Sequence, residues 1–213
     1  MRRVPAVLLI ACSFAAAPLA AQVLRRLELG ATVHTTRFRT SAPSAGEALS
    51  GVAGGAEARL TTGRFSLKVW YLQGRLAADT GIATPTDLVD GGVMASVRPV
   101  PWAWFAAGPH LRAYVVPAFT ERWMFWEARG GVDGVVIDGK VRGHLELWTA
   151  LSATGAGGQS GRSARGGEAG LTGHLPGSPL WLRVTYAIDR VGLPGGGVEA
   201  LDGAAVTVGY GGR

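Results

Sequence analysis

From Arg25 onward apolar and polar residues alternate one for one, and no stretch carries a sustained apolar stripe at helical spacing. The alternation predicts ten strands, near residues 26 to 40, 49 to 62, 64 to 77, 86 to 98, 102 to 117, 121 to 136, 140 to 154, 164 to 175, 179 to 191 and 198 to 210. One phase holds residues such as Leu27, Leu29 and Val33, then Phe65, Leu67, Val69 and Tyr71, then Leu180, Leu182, Val184, Tyr186 and Ile188, and finally Ala204, Val206, Val208 and Tyr210. The opposite phase holds Glu28, His34, Glu57, Arg59, Lys68, Asp90, His110, Arg112, Glu127, Arg129, Asp133, Arg142, His144, Glu146, Glu168, His174 and Arg183, which include all four histidines.

A soluble half-buried sheet turns its apolar face to a core and its polar face to water. A membrane barrel does the reverse, with apolar residues in lipid and polar ones in the lumen. The chain favours the second arrangement. Each segment is long enough for the roughly 9 to 11 residues a tilted strand needs to cross a bilayer. Tight connections at Thr62-Gly63, Pro99-Val100-Pro101, Asp138-Gly139 and Pro176-Gly177-Ser178 alternate with others that are mostly longer, such as 41 to 49 and 155 to 163. Asp-Gly in particular is a two-residue hairpin signal, because both positions accept positive φ. The polar phase also contains Gly30, Gly92, Gly108, Gly131 and Gly170. Small residues beside charged ones suit a narrow, filled lumen rather than a solvated face. The fold class is therefore all-β: a transmembrane, antiparallel, up-and-down barrel of about ten strands, with eight as the nearest alternative and a soluble secreted barrel as the other reading. Pro109, in mid-strand on the lipid-facing phase, calls for a local bulge, since a paired strand has no place for a residue lacking N–H.

Composition agrees. Glycine contributes 33 of 213 residues, about twice its usual share of about 7%, as curved β-structure requires. Residues 1 to 21 combine Arg2 and Arg3, an apolar run and a small-residue exit at Leu19, Ala20 and Ala21. They read as a Sec-type signal peptide, leaving 22 to 213 as the barrel domain. Cys12, the only cysteine, lies inside this leader, where Leu9 to Cys12 also has the look of a lipidation motif. Without the leader 19 basic residues face 15 acidic ones, a mild balance that, with export, argues against a nucleic-acid partner. No later run approaches 18 consecutive apolar residues, so a membrane crossing must be made by strands closed into a barrel.

With these features the chain resembles the small outer-membrane β-barrel proteins of Gram-negative bacteria, the broad class that includes OmpA-like domains. The resemblance implies a place in the cell envelope, spanning the outer membrane, with outer-membrane lipid and lipopolysaccharide as surroundings. It also implies recognition by the barrel-assembly machinery through the C-terminal strand, here AAVTVGY with its aromatic at Tyr210.

Hairpin register then brings polar-phase residues together. Glu57 is expected opposite Lys68, Asp133 opposite His144 with Glu146 and Arg129 nearby, and Asp90 close to His110 or Arg112. Opposite charges across strands attract, and in a lumen they offset the cost of burying a charge. Asp133 and His144 also have the makings of a base and its orienting carboxylate, but no serine or cysteine stands beside them, so a lumen ion-pair network is the expected role. The histidines lack any two-ligand local spacing, so neither metal nor other cofactor is expected. At the long-loop ends Arg37, Arg39, Arg75, Arg122, Arg165 and Arg190 fall on the lipid-facing phase. They predict a cationic collar at the height of lipopolysaccharide phosphates. Trp102, Trp104, Phe105 and Trp181 near one end, and Trp123, Phe125 and Trp126 near the other, are expected as interfacial girdles. The functional reading is a barrel with a charged, filled lumen and a structural or surface-interaction role. A narrow porin-like conduit, a small-ligand binder, and an outer-membrane lipid or peptide hydrolase are the alternatives.

Overall fold

In a computed structural model the chain is described over residues 27–41, 47–79, 84–117, 119–138, 140–155, 163–193 and 197–211. The expected leader, with Cys12, lies outside the described residues. Ten strands follow one another: β1 (Leu27–Ser41), β2 (Ala48–Thr62), β3 (Phe65–Ala78), β4 (Thr86–Val100), β5 (Ala103–Val116), β6 (Phe119–Ile137), β7 (Val141–Gly155), β8 (Ser163–His174), β9 (Leu180–Gly192) and β10 (Val198–Gly211). Each pairs antiparallel with its sequence neighbours, and β1 pairs with β10 from Glu28↔Gly211 to Ser41↔Val198, closing the barrel. Closure leaves no edge strand whose N–H and C=O groups would meet lipid unpaired.

Side chains sort by parity as the alternation requires. Leu29, Val33, Phe65, Leu67, Tyr71, Val184, Tyr186, Val206, Val208 and Tyr210 point outward and are exposed. The 15 residues of β1 extend about 50 Å, or about 35 Å along the membrane normal at a tilt near 45°. That exceeds the roughly 25 Å apolar band of such barrels, so the strands project beyond it.

Pro109 needs no bulge in its own strand. The β4–β5 register is the same on both sides of it, with Gly92↔His110 and Ala95↔Ala107, and it shifts only between Val97 and Val100. The β6 residue opposite, Trp126, adjoins a bulge in the β6–β7 pairing.

The expected aromatic girdles are only partly present. Trp102, Phe105 and Trp126 are exposed outward, whereas Trp123, Phe125 and Trp181 are buried in the lumen, and Trp104 shares their inward phase. A regular pattern accounts for the inward tryptophans. Trp70 stands opposite Gly92, Trp104 opposite Gly131, Trp123 opposite Gly155, Trp148 opposite Gly166 and Trp181 opposite Gly209, always on the following strand. Each indole lies over its glycine: a Cβ at Gly209 would come within 2.1 Å of Trp181, and one at Gly131 within 2.4 Å of Trp104. The excess glycine thus provides beds for large rings in a barrel too narrow to hold them upright.

The lumen changes character along its length. Towards the longer connections it is filled by Phe38, Leu49, Leu76, Leu88, Tyr114, Trp123, Phe125, Trp148, Ala164, Val191 and Leu201, a packed cluster to which each of the ten strands contributes. Below this seal the interior is polar, and towards the tight turns it opens into a cavity.

Candidate functional site

The polar layer beneath the seal is built around Asp90, on β4. Its carboxylate accepts hydrogen bonds from Trp70 Nε1 at 3.1 Å, and from His110 Nε2 and Arg112 Nε, each at 2.9 Å. His110 Nδ1 meets Glu127 at 2.6 Å, and Glu127 in turn accepts from Arg129, which also donates to Glu146 at 2.6 Å. Arg112 sends its Nη2 to Asp189 at 2.6 Å, and Asp189 also accepts from Trp148 Nε1 at 2.8 Å. Seven charged or titratable side chains and two indoles from β3, β4, β5, β6, β7 and β9 thus form one connected network. Asp90, His110, Arg112 and Glu127 within it are buried. Inward parity makes these neighbours, and their opposite charges let each be desolvated at tolerable cost.

Geometry decides what the network can do. Both ring nitrogens of His110 are engaged with carboxylates, so neither lone pair is free to take a proton from a nucleophile. A general base needs that freedom together with a substrate within hydrogen-bond reach. The arrangement is that of a structural ion-pair lattice.

Asp133 and His144 do stand opposite one another in the β6–β7 ladder, but their side chains are held elsewhere. Asp133 pairs with Arg98 at 2.5 Å, and His144 Nε2 with Glu168 at 3.1 Å. A guanidinium reaching from β4 offers Asp133 a full charge, which a neighbouring imidazole need not carry. No serine or threonine hydroxyl hydrogen-bonds to His144 among the described residues. Glu57 lies opposite Trp70, and Lys68 opposite Arg59, because the turn residues are Gly63 and Arg64 rather than Thr62 and Gly63. Lys68 nonetheless reaches Glu57 diagonally at 2.9 Å, and Arg183 reaches the same carboxylate from across the lumen at 2.8 Å.

Among the described residues no group of three or more His, Cys, Asp and Glu is placed to hold a metal ion. Besides Arg98, which holds Asp133, two members of the interior are not among the sequence-predicted residues although their parity is inward. Asp189 belongs to the network, and Glu199, buried within the seal, accepts a hydrogen bond from Tyr114 Oη at 2.7 Å. Extending each polar phase to the last turn of its strand would have found both.

The cavity, about 690 Å³ in volume, runs beside the network, whose Asp90, His110, Arg112, Arg129, Glu146 and Asp189 line it. Gly63, Arg64 and Pro101, at the tight turns, belong to its mouth, and Trp70, Leu88, Trp148 and Leu201 to its upper end.

At the opposite end of the barrel the six collar arginines divide into two sets. Arg37 faces Asp79 at 3.9 Å, Arg39 bonds Asp202 at 2.6 Å, and Arg75 lies 4.0 Å from Asp87. Arg122, Arg165 and Arg190 make no ion pair among the described residues, and Arg165 stands directly opposite Arg190. The ladder carries one row across five strands, from Arg39 through Ala200, Arg190 and Arg165 to Thr149.

No family model matches the chain, and no curated protein does. Among solved structures the chain is similar to the outer membrane protease OmpT from Escherichia coli, at 9% identity over 86% of this chain and 94% of that one, with a TM-score of 0.48. It is also similar to the translocator domain of the autotransporter NalP from Neisseria meningitidis, at 14% identity over 91% and 95% of the two chains and a TM-score of 0.42. A third similar structure is neisserial surface protein A, at 13% identity over 84% and 96%, with a TM-score of 0.38. By its own strand pairing, closed on ten antiparallel strands with apolar residues outside and charges within, the chain has the architecture of the outer-membrane β-barrels.

Proposed function

We propose that the protein is a non-conducting integral barrel of the bacterial outer membrane, with its long connections at the cell surface and its tight turns in the periplasm, and with a structural or surface-interaction role. The observation that carries this reading is the seal: every strand sends at least one buried apolar or aromatic residue into the long-loop end of the lumen. A conduit needs a continuous wet path, and open channels belong to barrels of about 16 strands or more. The engaged nitrogens of His110 and the separate partners of Asp133 and His144 speak against hydrolysis.

The surface part of this role falls to the arginine collar, proposed to meet lipopolysaccharide phosphates. Arginines directly opposite one another, as Arg165 and Arg190 are, repel unless an anion lies between them, and guanidinium groups bind phosphate in forked geometry. Assembly is proposed to use β10, ending at Tyr210, as the segment read by the barrel-assembly machinery.

Planar-bilayer recording of the refolded protein tests the role directly. The expected trace shows no unitary steps at 1 M salt, and regular openings would overturn the sealed-barrel reading. Membrane residence is checked on an unboiled gel, where a folded barrel migrates apart from the boiled chain. The Arg165→Gln and Arg190→Gln pair is expected to weaken lipopolysaccharide retention during detergent purification while leaving that gel shift intact.

A further inference from the structure

The cavity at the tight-turn end is not explained by a sealed structural barrel. Its lining carries eight cationic side chains and eight carboxylates; the six cations outside the network are Arg59, Arg64, Lys68, Arg98, Arg142 and Arg183, and with them towards the tight turns stand Glu28, Glu57, Asp133 and Glu168. Those carboxylates are largely engaged already. Lys68 and Arg183 share Glu57, Arg98 holds Asp133 and His144 holds Glu168. Arg59, Arg64 and Arg142 make no ion pair among the described residues. The ladder also sets cation against cation. Arg59 stands between Lys68 on β3 and Glu28 on β1, and Arg142 shares a row with Arg183 through the single residue Thr172. Like charges placed opposite across strands destabilise a sheet, and low-dielectric walls focus the potential they create.

We infer that this vestibule is a binding site for a small multivalent anion, a molecule carrying two or more phosphate, sulfonate or carboxylate groups. Binding relieves the repulsion between Arg59 and Lys68, and it gives Arg142 the partner that the barrel withholds. Guanidinium forks match oxyanions in plane. Arg183 is already held in place to receive one. It is stacked on Trp181, with 4.7 Å from its guanidinium carbon to the ring, and is steadied by Thr172. Hydroxyls beside these cations, the Ser66 and Ser96 pair at 2.5 Å and Thr207 with Thr32 at 3.0 Å, suit a polyhydroxylated or water-carrying ligand. The volume, about 690 Å³, falls within the roughly 300 to 1,000 Å³ range of small-molecule sites. Only the compartment that supplies the ligand rests on the orientation proposed above.

The test uses the full mature chain folded in detergent, where both ends are accessible, so it succeeds or fails independently of orientation and of conductance. Fluorescence anisotropy of the trisulfonated dye pyranine is titrated with protein at low salt, and inorganic tripolyphosphate is then added as competitor. The expected result is saturable binding that tripolyphosphate displaces. The Arg59→Gln and Arg142→Gln pair weakens it at least tenfold, while the Arg59→Lys and Arg142→Lys pair stays within about threefold, charge being the main requirement. Arg122→Gln with Arg165→Gln, on the outer collar, leaves binding unchanged. The gel shift on boiling verifies that each variant is folded. Absence of saturable binding overturns the inference, as does equal binding by the Arg59→Gln and Arg142→Gln pair, or loss of binding in the collar pair instead.

Discussion

At the scale of single residues, Arg112 is the side chain on which most charge in the interior depends. It is buried, and it bonds Asp90 on the adjacent β4 through Nε and Asp189 on β9, across the lumen, through Nη2. Its Nη1 is buried without a partner. Arg112→Met therefore leaves two carboxylates facing a neutral thioether. Breaking a buried ion pair by removing one partner costs about 3 to 5 kcal/mol, and the expected result is an unfolding free energy lowered by that amount in urea titrations in lipid vesicles, read by tryptophan fluorescence. Arg112→Lys is expected to recover only part of the loss. A single ammonium lacks the fork that reaches two carboxylates in different directions. If Arg112→Lys matches the parent, charge alone is what the site needs and the forked geometry is irrelevant.

At the scale of strands, the tryptophan and glycine pairs make a sharper prediction than any charge. Trp181 lies over Gly209 so closely that no Cβ fits beneath it. Gly209→Val is expected to destabilise the barrel by about 1 to 3 kcal/mol through overpacking. In a Trp181→Ala background the same substitution should cost far less, so the double-mutant cycle should show strong coupling. Additive effects would mean that the close approach carries no energy. Strand positions were legible in the sequence because a period of two is written into every segment, and the observed bounds lie within a few residues of the alternation. Asp133 against His144 was legible too, although Ile137 pairs with Val141 and the register expected from the turn is regained only through a shift between Val135 and Ile137. What parity could not supply was the partner of each charge. A one-residue shift of the turn at Gly63 moved Glu57 from Lys68 to Trp70 by two positions without changing its face. Long side chains then crossed the lumen, as Arg183 does to Glu57 and Arg98 to Asp133. The inward rings of Trp123, Phe125 and Trp181 were misplaced because aromatic residues near strand ends serve lipid headgroups and a lumen seal equally well, and only their parity distinguishes the two.

At the scale of the whole molecule, two layers occupy the lumen, and they differ in kind. The outer one is apolar and draws on all ten strands. The inner one is the ionic network, whose large side chains come from β3 to β7 and β9, while the facing parts of β10, β1 and β2 present small residues such as Ala53, Gly203 and Ala205. The cavity passes the network on that side and reaches Leu88 and Leu201, so the apolar layer is what closes the bore. Trp123→Ala with Phe125→Ala removes two fully buried rings, each truncation costing about 3 to 5 kcal/mol, so the unfolding midpoint should fall steeply and the planar bilayer should show small unitary steps. Adding Arg112→Ala and Arg129→Ala takes away the cations that tie Asp90, Asp189, Glu127 and Glu146 across the bore. With those cations also gone, a larger and cation-preferring conductance is expected, because the four carboxylates left behind line the path. The sign of the selectivity, read from the reversal potential in a salt gradient, makes the experiment decisive. Anion preference would place the narrowest point at the arginines of the vestibule, and silence in the Trp123→Ala and Phe125→Ala protein would show that the ionic layer closes the bore by itself.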